Sequence, residues 1–249
     1  MIAFLLCLLP FYAAQRWLHR ELQAVFLTLT RRPDAALGLF ALFLFPGVLL
    51  HEVSHWAAAR LLGVPTGRIS LIPRALPGGR LRLGYVQTAQ TNLVKDALIG
   101  LAPFLTGAPL TGWIAGSRLG LAPLWDLALQ GDWAAVRAAL PLVTQQPDFW
   151  VWFYLAVCIS STMLPSPSDR RAWLPLAGAT LAAGAAAAAA GAGTWMSLHL
   201  APALDTFLSN LAAVLAGSLL VHLALALPVT ALRVALGRVF RLRVVSVSR

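Results

Sequence analysis

Two histidines four residues apart, with a glutamate directly after the first, stand at His51-Glu52-Val53-Ser54-His55. On a helix, a spacing of four stacks both imidazoles on one face, where they can share a single metal ion. Glu52 flanks the same spot as a proton acceptor. Imidazole ligands suit zinc rather than magnesium or calcium, and a four-coordinate ion with three protein ligands keeps one position for water. The chemistry of such a set is hydrolysis, with the bound water as nucleophile.

The set needs a third protein ligand. Glu21 and Glu52 are the only glutamates, so no downstream glutamate can serve, and position 61 is leucine, so the pattern with a third histidine six residues on also fails. An aspartate or a distant histidine remains. Asp169 is the leading candidate because it follows the apolar run 149–163 directly, in Leu164-Pro165-Ser166-Pro167-Ser168-Asp169, at the same expected membrane face as the motif. The bland alternative is a solvated loop acid paired with Arg170 or Arg171. Asp96, Asp205, His199 and His222 stand behind it. Asp96 reads as a helix-start residue, Asp205 follows a proline at the far interface, and the two histidines read as packed or interfacial.

The elements that must position these groups are apolar. The chain of 249 residues is 59% hydrophobic and 11% charged, which excludes an ordinary soluble domain. Long apolar runs lie near residues 1–14, 36–62, 97–117, 149–165, 173–196 and 204–232, five of them near the roughly 20 residues a spanning helix needs. The first is short and contains Pro10, so an interfacial position is its alternative. The expected fold is an all-α integral membrane protein of about six transmembrane helices, with a small β-hairpin between the second and third. There RISLIPR and RLRLGYVQT flank a Pro77-Gly78-Gly79 turn. One domain covers 1–249, with a core at about 36–175 and additional helices at 173–196 and 204–232. Residues 118–148 read as a partly interfacial helix.

The motif lies inside the run 36–62, and three ionisable side chains in five residues of a membrane helix mark function. The net charge of +10 does not imply nucleic acid, because the arginines cap the apolar runs. Thirteen Lys and Arg fall on the side of the hairpin and C-terminus against six on the other, which makes the first side cytoplasmic. Cys7 and Cys158 sit within apolar runs as packing residues, not as a disulfide framework.

The segment GVLLHEVSHWAAARLLGVPTGRISL resembles the site-2 protease family of intramembrane zinc metalloproteases, in which an HExxH helix precedes a short sheet and a later helix ends in an LPxxxxDG-like motif. The likeness extends to Gly84-Tyr85-Val86, to Gly100-Leu101-Ala102-Pro103 and to Leu164-Pro165 with Asp169, and covers about residues 40–175. It implies an endopeptidase acting on membrane-anchored proteins, with one Zn2+ held by His51, His55 and Asp169 and with Glu52 as catalytic base. The chain departs from the family where Arg170 replaces the glycine after the aspartate. The Arg-rich, Lys-poor usage points to a bacterial cell membrane. Two rival readings are a metal transporter, which calls for further acids or histidines along several helices, and an inactive relative that binds clients.

Overall fold

The computed structural model describes residues 2–76 and 80–241, so the Pro77-Gly78-Gly79 turn and residues 242–249, with Arg243 and Arg249, lie outside the description. The chain is mostly helical, with two small two-stranded sheets.

Helix α1 (Ile2–Thr30) runs well past the apolar stretch that begins the sequence, because Gln15, Leu18, Val25 and Thr28 continue its buried face. That face packs along α10 (Ala201–Val239). Phe11, Leu211 and Leu215 meet Phe104 and Ala108 of α4 (Leu93–Trp113) and Met163 in one cluster. An ion pair between Glu21 and Arg233 ties the two helices together, so the second glutamate of the chain is engaged away from the motif.

The apolar run 36–62 is not one straight helix. Helices α2 (Pro33–Phe43) and α3 (Phe45–Leu61) meet at Leu44 with a bend of 73°. Pro46 is the cause, since it has no N–H to give to the preceding turn and its ring crowds the carbonyl there. The Phe43 carbonyl freed at the break accepts hydrogen bonds from the Tyr154 hydroxyl at 2.8 Å and the Cys158 thiol at 3.2 Å, both on α7 (Phe149–Thr162). In an apolar surrounding such a carbonyl must find a partner within the protein.

Between α3 and α4, β1 (Thr66–Ser70) pairs antiparallel with β4 (Tyr85–Thr88), and β2 (Arg74–Leu76) with β3 (Arg80–Arg82). Leu71, Leu81 and Leu83 rest on Phe40, Leu44, Val48 and Cys158, which fastens this small β structure to α2, α3 and α7. Residues 118–148 hold two short helices, α5 (Ala122–Leu129) and α6 (Trp133–Val143), the second capped by the Asp132 side chain.

After α7 a loop leads to α8 (Trp173–Ala187) and the single turn α9 (Gly193–Trp195). Helical hydrogen bonding continues from Trp173 to Val239, but Gly191, at φ 96°, breaks the path. Among the described residues, three helical stretches are long and apolar enough to cross a membrane, Ile2–Thr30, Leu93–Arg118 and Trp173–Val239, or four if the bent pair counts as one. The remaining expected segment, α7, has 14 residues, and a helix of that size is only about 21 Å long.

Candidate metal centre

Helix α3 presents His51 and His55 one turn apart, their rings 4.7 Å between centroids and nearly perpendicular. Each ring is fixed from behind by a backbone carbonyl of a different helix. His51 Nδ1 lies 2.7 Å from the Thr162 carbonyl of α7, and His55 Nδ1 lies 2.8 Å from the Ile99 carbonyl of α4. A carbonyl can only accept, so each Nδ1 carries a proton, and a ring in its neutral form has its lone pair on Nε2 while a protonated ring turns an Nε2–H toward Asp169.

The sequence explains why both carbonyls are free. In an unbroken helix the Ile99 carbonyl would serve the N–H four residues on, but that residue is Pro103. Thr162 ends α7, position 165 is proline, and the Ser166 N–H is spent on Asp169 Oδ2 at 2.7 Å. The orphan carbonyls are therefore taken by the two imidazoles.

The same Ser166 bond orients Asp169. Its carboxylate turns inward, with Oδ2 3.7 Å from His51 Nε2 and Oδ1 3.6 Å from His55 Nε2. Burial raises the carboxyl's pKa, but hydrogen bonding to His51 and His55 outweighs it and holds the group well below the usual carboxylate range. The loop reaches this position because residue 100 is glycine: a Cβ there would stand 2.0 Å from the Asp169 backbone oxygen. Pairing with Arg170 or Arg171 is not what the loop does. Among the described residues neither arginine bridges Asp169, and the Arg171 side chain donates to the Ser168 carbonyl at 3.1 Å.

Three electron-pair donors thus face one point. The two Nε2 atoms are 3.1 Å apart, and the set with Asp169 fits within 4.8 Å. With both rings neutral, two lone pairs and a carboxylate repel, and either a proton on Nε2 or a metal ion between the three relieves this. A tetrahedral ion with bonds of about 2.0–2.1 Å keeps its ligand atoms about 3.3 Å apart, inside the observed spread. The donor set therefore fits a metal ion of that size.

No protein-family model, curated protein or solved structure matches the chain. What the site can do rests on its own geometry.

Glu52 is buried beside this point, and its carboxyl is covered by the turn between β3 and β4. A Cβ on Gly84 would stand 2.8 Å from Glu52 Oε1, so only glycine lets the turn lie so close. Glu52 and the three donors line a cavity of about 720 Å³ together with residues of β3, β4 and the 166–171 loop. Asp96 lines it too, but is not among the converging groups. His222 is committed elsewhere, to the Ser161 hydroxyl at 2.9 Å and the Ser218 carbonyl at 2.7 Å. His199 is exposed and stacked on Trp195, and Asp205 is exposed on α10. Two lining residues escaped the sequence reading, His19 of α1 and Arg82 of β3. Nothing in their local pattern marks them, although the alternation of residues 80–86 sets Arg82 on the same face as Gly84.

Proposed function

We propose that the chain is an intramembrane zinc endopeptidase of the site-2 protease type. The observation that carries this reading is the convergence of His51 Nε2, His55 Nε2 and the Asp169 carboxylate on one point, with the Glu52 carboxyl beside it in a single cavity. His51, His55 and Asp169 hold the zinc. When bound, the ion acidifies a water and polarises a peptide carbonyl. Glu52 takes the proton of that water and delivers it to the departing amine. The carbonyls of Ile99 and Thr162 keep both imidazoles in the tautomer that leaves Nε2 free.

The substrate is a membrane-anchored protein. Its cleavage segment must be extended for attack, and β4, which lines the cavity, offers a strand beside which it can lie. The six-segment topology belongs to the same proposal, with the cavity near the cytoplasmic face of a bacterial membrane. Water reaches the centre along the hydroxyls of Ser161, Thr162, Ser166 and Ser168, which line the cavity.

The decisive experiment pairs metal analysis of the purified protein with cleavage of a membrane-anchored test protein by wild type and Glu52→Gln. One zinc per chain in both forms, with cleavage only in wild type, is expected. Equal cleavage by the two forms, or none by the zinc-loaded wild type, refutes the reading. A transporter would carry metal across vesicles irrespective of Glu52.

A further inference from the structure

Among the described residues, the buried side-chain nitrogens left without a hydrogen-bond partner are His19 Nε2 and Arg82 Nε, and both residues line the cavity of the metal centre. The other two orphaned atoms are hydroxyls, of Thr111 and Thr230, neither of which lines it. A buried polar atom without a partner is costly, and such atoms are rare enough that each calls for a missing one.

The two side chains are held in place by packing rather than by polar bonds. The Arg82 guanidinium rests over the Tyr85 ring, 4.6 Å from its centroid, a contact that fixes the plane of the cation and leaves its hydrogens unspent. The His19 ring stands edge-on to Phe40 at 5.3 Å. Arg82 lies two residues before Gly84, which touches Glu52, and lines the same cavity as the Glu52 carboxyl. Among the described residues no carboxylate forms an ion pair with Arg82. A fixed cation in the cavity of the proton acceptor, with its own donors free, is what a carbonyl oxygen needs as negative charge gathers on it.

We propose that Arg82 and His19 are the substrate-binding donors of this cavity. Arg82 is a catalytic residue that hydrogen-bonds the oxygen of the peptide bond being cut, and His19 pairs with a backbone amide of the same extended segment further from the metal. This rests on the protease reading. A peptide group, having both a donor and an acceptor, satisfies either tautomer of His19. The two roles differ in kind. Arg82 acts most strongly in the transition state and governs kcat, whereas His19 binds ground and transition states alike and governs KM.

The test is steady-state cleavage of a membrane-anchored substrate by the detergent-solubilised full chain, with zinc measured in every preparation. Arg82→Met is expected to lower kcat about 100-fold while KM stays within about threefold, and Arg82→Lys to recover part of the loss. His19→Phe, which keeps the ring packed on Phe40, is expected to raise KM about tenfold with kcat intact. In the Glu52→Gln background a fluorescent version of the substrate is bound without being cut, and there His19→Phe weakens binding by the same factor. Zinc content stays at the wild-type level throughout. Wild-type kcat in Arg82→Met together with wild-type KM in His19→Phe overturns the proposal, and so does loss of zinc from either variant, which would make the residue a structural support. If the zinc-loaded wild type cuts nothing, the protease reading itself fails and takes this assignment with it. If wild type cuts and the variants cut equally well, only the assignment fails.

Discussion

Gly100→Ala places a single methyl group where α4 touches the backbone of the 166–171 loop at Asp169. The added Cβ would stand 2.0 Å from the Asp169 carbonyl oxygen, and real Cβ contacts essentially never fall below 3.0 Å, so helix and loop must separate by at least 1.0 Å. The clash is with backbone, which cannot rotate away as a side chain would. Metal–ligand bonds tolerate only about 0.2 Å. The Asp169 carboxylate is therefore drawn out of bonding range of His55, which is tied to α4 through the neighbouring Ile99 carbonyl. The expected loss of zinc affinity is about 100-fold, the upper end of what changes behind a ligand cost, or about 2.7 kcal/mol. Competition with a chromophoric chelator in detergent measures it. Gly38→Ala, whose Cβ would meet nothing within 4 Å, is the control for the helix glycine itself. Gly100→Ala should behave like Asp169→Asn, and Gly38→Ala like wild type. A folded Gly100→Ala protein with wild-type zinc affinity would refute the placement of Asp169.

Pro103→Ala restores an N–H that competes with His55 for the Ile99 carbonyl, so zinc affinity should fall about 10- to 100-fold while helix content is unchanged, read by the same chelator titration and circular dichroism. Gly84→Ala pushes against the Glu52 carboxyl and not the ligands, so zinc should be retained while the cleavage rate drops by up to about 100-fold. Zinc affinity should fall as the pH is lowered, because each imidazole must surrender a proton at Nε2 before it can bind. Asp169, held below the usual carboxylate range, stays ionised through that window, so its replacement lowers zinc affinity across it. Any stability it lends the metal-free chain is complete above about pH 3.9 and is lost only as the pH falls further. Arg233→Met leaves Glu21 without its partner between α1 and α10, and should cost about 1.5–3 kcal/mol in thermal or denaturant unfolding, with part recovered in the double variant Glu21→Gln/Arg233→Met.

The convergence at His51, His55 and Asp169 was legible because side chains carry it: a spacing of four fixes the first two, and counting the scarce carboxylates leads to the third. Strand content between α3 and α4 was legible from the alternation of the second run, whereas the division into two pairs, β1 with β4 and β2 with β3, was not. What holds the histidine rings was not, because the partners are carbonyls, which every residue has. Only Pro103 and Pro165 hinted at which carbonyls would be free. The bend at Leu44 hides for a related reason. Hydrophobicity runs unbroken through 36–62, and Pro46 alone does not say whether a helix kinks or restarts. His19 and Arg82 lie 32 and 30 positions from His51 and Glu52 respectively, and enter the cavity only through tertiary packing of α1 and the β structure. Six crossings are not established among the described residues, because the runs 173–196 and 204–232 lie in one helical stretch broken only at Gly191, and α7, though apolar, has 14 residues.

The two carbonyls behind the imidazoles have a bearing on how the protein matures. They belong to α4 and α7, whereas the histidines belong to α3, so the rings acquire their working orientation only after three helices have come together. A nascent chain that has emerged as far as α3 carries the whole HEVSH motif, yet has neither Ile99, Thr162 nor Asp169 to complete it. If the proposed function holds, hydrolytic competence is in this way withheld from unfinished chains. The last of these groups to be synthesised, Asp169, then sets the moment at which the metal centre can first be complete.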